Sequence, residues 1–101
     1  MSGQFYTLAS WHVREGQTEA FLQIWRDELA AAFRAVNPQA QGTLIQSLED
    51  PNQFVSFGPW ASLEEMQAAR SAPQVREAIG KLMALCDDAR PGPYRVVLTI
   101  P

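Results

Sequence analysis

A chain of 101 residues, 47% hydrophobic and 19% charged, has the balance of an ordinary globular protein built on one core. A net charge of −3, a pI near 5.0 and eight scattered basic residues, of which only Lys81 is a lysine, argue against a nucleic-acid partner, because phosphate binding needs clustered Lys and Arg. No apolar run approaches the roughly 18 residues of a membrane span, Met1-Ser2-Gly3-Gln4 has no region of a secretory signal, and the lone Cys86 allows no internal disulfide, so the expectation is one cytoplasmic domain over 1–101.

From Gln4 to Val13 the residues alternate without Gly or Pro, which reads as a strand. Phe5, Thr7, Ala9, Trp11 and Val13 share one side; Tyr6, Leu8, Ser10 and His12 share the other. After the turn Arg14-Glu15-Gly16 the period becomes helical, with Phe21, Trp25, Leu29, Ala32 and Val36 along one stripe. Asn37-Pro38 ends that helix, since the residue before a proline is pushed out of the α region. Gly42 to Glu49 reads as a second strand, with Leu44 and Leu48 on one side and Thr43, Ile45 and Ser47 on the other. Asp50-Pro51-Asn52 is turn chemistry and joins it to a third strand, Phe54 to Trp60, in a hairpin.

That third strand runs almost without a loop into a helix from Leu63 to Arg70, where Ser62 and Glu65 are spaced as a capping box. Ser71-Ala72-Pro73-Gln74 predicts a second cap, with re-entry at Ser71 into a helix whose apolar stripe is Val75, Ile79, Leu82, Met83 and Cys86. Asp87-Asp88 would then oppose the dipole at its end. Pro91-Gly92-Pro93 reads as a break, and Tyr94 to Ile100 as a last strand. Strand, helix, strand, strand, helix, strand with right-handed crossovers gives an α+β, ferredoxin-like βαββαβ arrangement: a four-stranded antiparallel sheet with its helices on one face.

Helices cover only one side of such a sheet. With Phe5, Ala9, Trp11, Val13, Phe54, Ser56, Gly58 and Trp60 beneath them, the other side shows Tyr6, Leu8, Leu44, Leu48, Val55, Phe57 and Val97. These stand among Ser10, His12, Gln46, Arg95 and Thr99. That patch is too apolar for water, and covering ~500 Å² of it contributes on the order of 12 kcal/mol before association costs. A homodimer packed sheet to sheet is expected.

The covered face mixes small residues with bulky ones: Thr7, Ala9, Ser56 and Gly58 against Trp11, Phe21, Trp25, Phe54, Trp60, Met66 and Met83. Two arrangements fit. Aromatics fill the space above the small residues, or a flat apolar pocket closed by indoles and thioethers takes an aromatic ligand. A cavity of roughly 300 Å³ or more would mark the second. The single imidazole, His12, makes no metal site alone, and with Glu28 it is a candidate proton acceptor. Cys86, on an apolar stripe, reads as a buried inert thiol.

Trp11-His12-Val13-Arg14-Glu15-Gly16 leads into a helix bearing Phe21 and Trp25. Ser47-Leu48-Glu49-Asp50-Pro51 precedes the strand Phe54 to Trp60, which continues as Trp60-Ala61-Ser62-Leu63-Glu64. Together these resemble the antibiotic biosynthesis monooxygenase-like family of dimeric α/β barrels. The resemblance implies a homodimer joined through its sheet faces, with a pocket between sheet and helices in each subunit. It implies oxidation of a quinol or related phenolic compound by O₂ with no cofactor and no metal. Trp60 matches the pocket tryptophan of those enzymes. Ser56 stands where quinol-oxidising members carry an Asn, and Met66 where a pocket Tyr is expected. Haem-degrading relatives need an axial His on the second helical segment, and Leu63 to Cys86 contain none; their first-strand Asn falls on Ala9.

The reading is a monooxygenase of small aromatic or quinol-like compounds. Trp60 packs against the ring, Ser56 hydrogen-bonds an oxygen, and Ala9, Trp11, Trp25, Phe54 and Met66 shape the cavity. A non-catalytic homodimer that binds a small hydrophobic molecule is the alternative.

Overall fold

The computed structural model describes residues 4–101. Met1, Ser2 and Gly3, on which the expectation of no secretory signal partly rests, lie outside them. The elements are β1 (Phe5–Val13), α1 (Thr18–Ile24), a π-helical turn (Trp25–Leu29), α2 (Ala30–Val36), β2 (Thr43–Gln46), β3 (Gln53–Trp60), α3 (Leu63–Ser71), α4 (Pro73–Met83) and β4 (Cys86–Arg95). The strands form a four-stranded antiparallel sheet in the order β2-β3-β1-β4, the ferredoxin-like α+β arrangement expected from the order of elements. No helix among the described residues is long and apolar enough to cross a membrane.

Register explains where the core sits. Phe5 faces Trp60, Thr7 faces Gly58, Ala9 faces Ser56 and Trp11 faces Phe54, so both strands turn these residues to one side. Ala9, Trp11, Phe54, Ser56 and Trp60 are buried there. Above them lie Phe21, Leu29 and Ala32 from the first helical run and Val75, Ala78 and Leu82 from α4. α1, the π turn and α2 follow one another without leaving helical backbone, and the Ala30 N–H reaches back to the Trp25 carbonyl. Gly16, with φ of +84°, supplies the left-handed residue that turns β1 into α1.

Several expectations need correction. β2 ends at Gln46 and does not run to Glu49, because Ser47 Oγ accepts from the Glu49 and Asp50 amides and Asp50 Oδ1 accepts from the Asn52 amide. Such side-chain turns compete with a ladder. Leu44 pairs with Ser56 and Gln46 with Phe54, which puts both on the helix side and not on the open face. Leu48 lies in the bend, fully exposed.

The second helical break falls at Ala72, whose ψ of 129° precedes Pro73; Ser71 ends α3 and caps nothing. Proline geometry decides that break. Only the Ser62 cap is formed, with its Oγ accepting from the Glu65 amide at 3.1 Å.

The largest correction is at the C-terminal end. α4 stops at Met83, and β4 takes Cys86 through Arg95. Asp87, Asp88 and Pro91-Gly92-Pro93 are therefore strand residues, and Val96 to Ile100 lie outside the sheet. β4 is an edge strand. Pro91 and Pro93 are two apart, so both positions that lack an N–H face the same way, which an edge strand tolerates. Arg95 pairs with Phe5 and so shares the helix-side parity.

Candidate functional site

A cavity of about 550 Å³ lies between the sheet and the helices. Its floor is the pair of rungs Thr7–Gly58 and Ala9–Ser56. Small side chains leave that floor low, and an indole stands at each end. Each indole leans one rung inward: Trp11 Nε1 donates to Ser56 Oγ at 2.9 Å, and Trp60 Nε1 donates to Thr7 Oγ1 at 3.1 Å. The two bonds are reciprocal, since β1 gives an indole to a β3 hydroxyl and β3 returns one. Ser56 and Thr7 spend a lone pair on these bonds and keep their own O–H protons to donate.

The roof comes from Trp25, Leu29 and Phe33 on the first helical run and from Val75, Ile79 and Met83 on α4. Phe33 meets Trp60 at 5.6 Å between ring centroids. The π-helical turn sets Trp25 and Leu29 into the wall and leaves Arg26 exposed at its margin, and π turns recur at functional sites. Trp25 Nε1 is buried without a hydrogen-bond partner among the described residues. The segment Ala40-Gln41-Gly42 closes one side. A Cβ on Gly58 would come within 2.1 Å of the Gln41 carbonyl oxygen, so the absence of a side chain there lets this segment settle on the floor.

Of the residues named from sequence, Ala9, Trp11, Trp25, Ser56 and Trp60 are brought together around the cavity. Phe54 and Met66 lie outside its wall. Phe54 packs on Phe21 at 5.4 Å, and Phe21 meets Trp11 edge-on at 5.5 Å, so that end of the sheet is filled by aromatics. Met66 belongs with Trp60 and Ala69 to a smaller buried cluster. Packing and pocket therefore coexist, with both ends of the covered face filled and the space lying over the small residues between them.

The two candidate proton acceptors stand elsewhere. His12 lies off the cavity, its Nε2 at 3.3 Å from Asp50 Oδ2 and its Nδ1 at 3.7 Å from Asp87 Oδ2. Glu28 accepts from Lys81 Nζ at 2.7 Å and does not line the cavity. The Cys86 thiol is buried and donates to the Leu82 carbonyl at 3.3 Å. Burial pushes its pKa up, against a smaller lowering by Arg14.

Residues not singled out from sequence include Thr7 as an acceptor, Phe33, and the arginines Arg26, Arg34, Arg70 and Arg76. Thr7 has a signal in the alternation of β1. The arginines have only their flanking position beside apolar stripes, which surface arginines share.

A family model described as antibiotic biosynthesis monooxygenase matches residues 4–81. The chain belongs to this family. Among solved structures, it is similar to SnoaB, a cofactor-independent oxygenase from Streptomyces nogalater, at 21% identity and a TM-score of 0.76, covering 97% of this chain and 98% of that one. A candidate antibiotic biosynthesis monooxygenase from Nitrosomonas europaea is similar at 17% identity and a TM-score of 0.76, covering 96% and 93%. A NIPSNAP family protein from Agrobacterium tumefaciens is similar at 16% identity and 0.66, covering 89% and 90%. At these identities the likeness is one of fold. No curated protein matches the chain.

Proposed function

We propose that this member of the antibiotic biosynthesis monooxygenase family is a cytoplasmic, homodimeric, cofactor-independent oxygenase of small aromatic or quinol-like compounds. One observation carries the reading: a cavity of about 550 Å³ with three indoles and two hydroxyls in its wall, a size within the range of ligand sites. A planar ring slides between the floor and the roof, with Trp60 and Trp25 offering their faces. Ser56 and Thr7, held by the indoles, donate to the ring's oxygens and stabilise the anion left when the ring loses a proton. That anion passes electrons to O₂. At an anthrone methylene two C–H bonds are replaced by a C=O, with one oxygen atom retained and the other leaving as water.

The cavity wall holds no carboxylate or imidazole among the described residues, so the proton of an acidic quinol goes to water. The same observation favours a second reading, a non-catalytic homodimer that binds such a ring without turning it over. Oxygen uptake and quenching of tryptophan fluorescence, measured with a panel of naphthoquinols and anthrones, separate the two. Uptake above background that falls in Trp60→Phe is the expected result. Quenching without uptake would establish the binding reading, and neither response would end both.

A further inference from the structure

The chain carries eleven acidic and eight basic residues, yet the charged groups lining the cavity are all basic: Arg26, Arg34, Arg70 and Arg76. They come from four different elements, the π turn, α2, α3 and α4, and all four are exposed. They therefore form a collar at the mouth and are not part of the buried wall. Arg26 is engaged by Asp27, with Nε at 3.0 Å from Oδ1. Arg34, Arg70 and Arg76 have no carboxylate within ion-pairing distance among the described residues. Away from the cavity Arg14 pairs with Asp87, Lys81 with Glu28 and Arg90 with Asp88, and only Arg95 has no such partner among the described residues.

Three unpaired guanidiniums around one opening repel each other, and a low-dielectric wall focuses their field on whatever enters. The planar fork of arginine matches the two oxygens of a carboxylate or a phosphate. We infer that the ligand is an aromatic ring with an oxyanion substituent, carboxylate or phosphate. The ring enters the apolar cavity, and the anion stays at the mouth against Arg34, Arg70 and Arg76. This rests on the cavity being an aromatic site, as proposed above, but not on any turnover.

The test is binding of three matched probes, 2-naphthoate, 2-naphthyl phosphate and neutral 2-naphthamide, followed by tryptophan quenching and calorimetry. At least one anionic probe should bind about tenfold or more tighter than the amide, an advantage set by charge-assisted contacts that shrinks as salt rises from about 0.05 to about 0.5 M. Which anion gains more tells carboxylate from phosphate. In the triple variant Arg34→Gln, Arg70→Gln, Arg76→Gln the advantage should vanish while the amide binds as before; Arg90→Gln, off the cavity, should change neither. Equal binding of anions and amide, or an advantage that survives the triple variant, overturns the inference and leaves the aromatic site standing. Failure of all three probes to bind overturns both.

Discussion

Trp60 and Thr7 are joined across the β1–β3 pair by an indole-to-hydroxyl bond of 3.1 Å, one rung away from the position that faces Trp60 in register, which is Phe5. The bond fixes which way the indole lies over the cavity floor. Thr7→Val keeps the shape and removes the acceptor, leaving a buried N–H unsatisfied at a cost of about 1–3 kcal/mol. Trp60→Phe removes the donor together with part of the ring. Chemical denaturation of the two single variants and the double variant should show the double costing less than the sum of the singles. Additive losses would mean that the bond does not couple the two residues.

Gly58→Ala should destabilise the fold although a methyl is the smallest addition possible. The obstacle is the Gln41 carbonyl oxygen, 2.1 Å from where a Cβ would stand, and backbone cannot swing aside as a side chain can. Overpacking of this kind costs about 1–3 kcal/mol. A shift in the urea midpoint reads the loss, and an unchanged midpoint would show that the 40–42 segment moves freely.

Sequence made the covered face legible because strand parity is strict. Once Phe5, Ala9 and Trp11 are set inward, pairing register assigns Ser56 and Trp60 with no further information. What it hid depends on geometry that no local pattern encodes. Cys86 fits the stripe of α4 at helical spacing, yet the chain turns at Ala84 and Leu85 and starts β4 there. The two prolines that read as a break are tolerated only because β4 is an edge, and edge position is a property of the whole sheet. Leu44 changed sides because β2 pairs in a register that the hairpin turn, ordered by Ser47 and Asp50, sets. Nor does any local pattern show that the 40–42 segment comes to rest on Gly58 and closes one side of the cavity.

The open face of the sheet shows Tyr6, Leu8, Val55 and Phe57, all partly exposed, with Ile45 at 49% and Tyr94 at 53%. A contiguous apolar patch on a small chain calls for a cover, and a second copy is the proposed one. Sedimentation at micromolar concentration should give a dimer. Val55→Glu or Phe57→Glu should shift it to a monomer, because a carboxylate in such an interface has no partner. A wild-type monomer would leave the sheet-to-sheet dimer without support.

Cys86 sets an alkaline limit on stability. Burial raises its thiol pKa, with Asp87 and Asp88 adding to the rise and Arg14 opposing it. The folded state thus holds a proton that the unfolded state has released once pH passes the ordinary thiol value, about 9. Stability falls wherever the folded state binds more protons. This contribution is therefore complete below that value and is lost as pH rises toward the raised folded pKa. Cys86→Ala removes the titrating group, so its denaturation midpoint should decline less steeply than that of the wild type above about pH 9. The same burial predicts slow reaction of the native thiol with a disulfide reagent near pH 8 and rapid reaction in denaturant. Parallel midpoint curves for the two proteins, or a native thiol that reacts at once, would show that Cys86 is open to water and that its contact with the Leu82 carbonyl does not hold it.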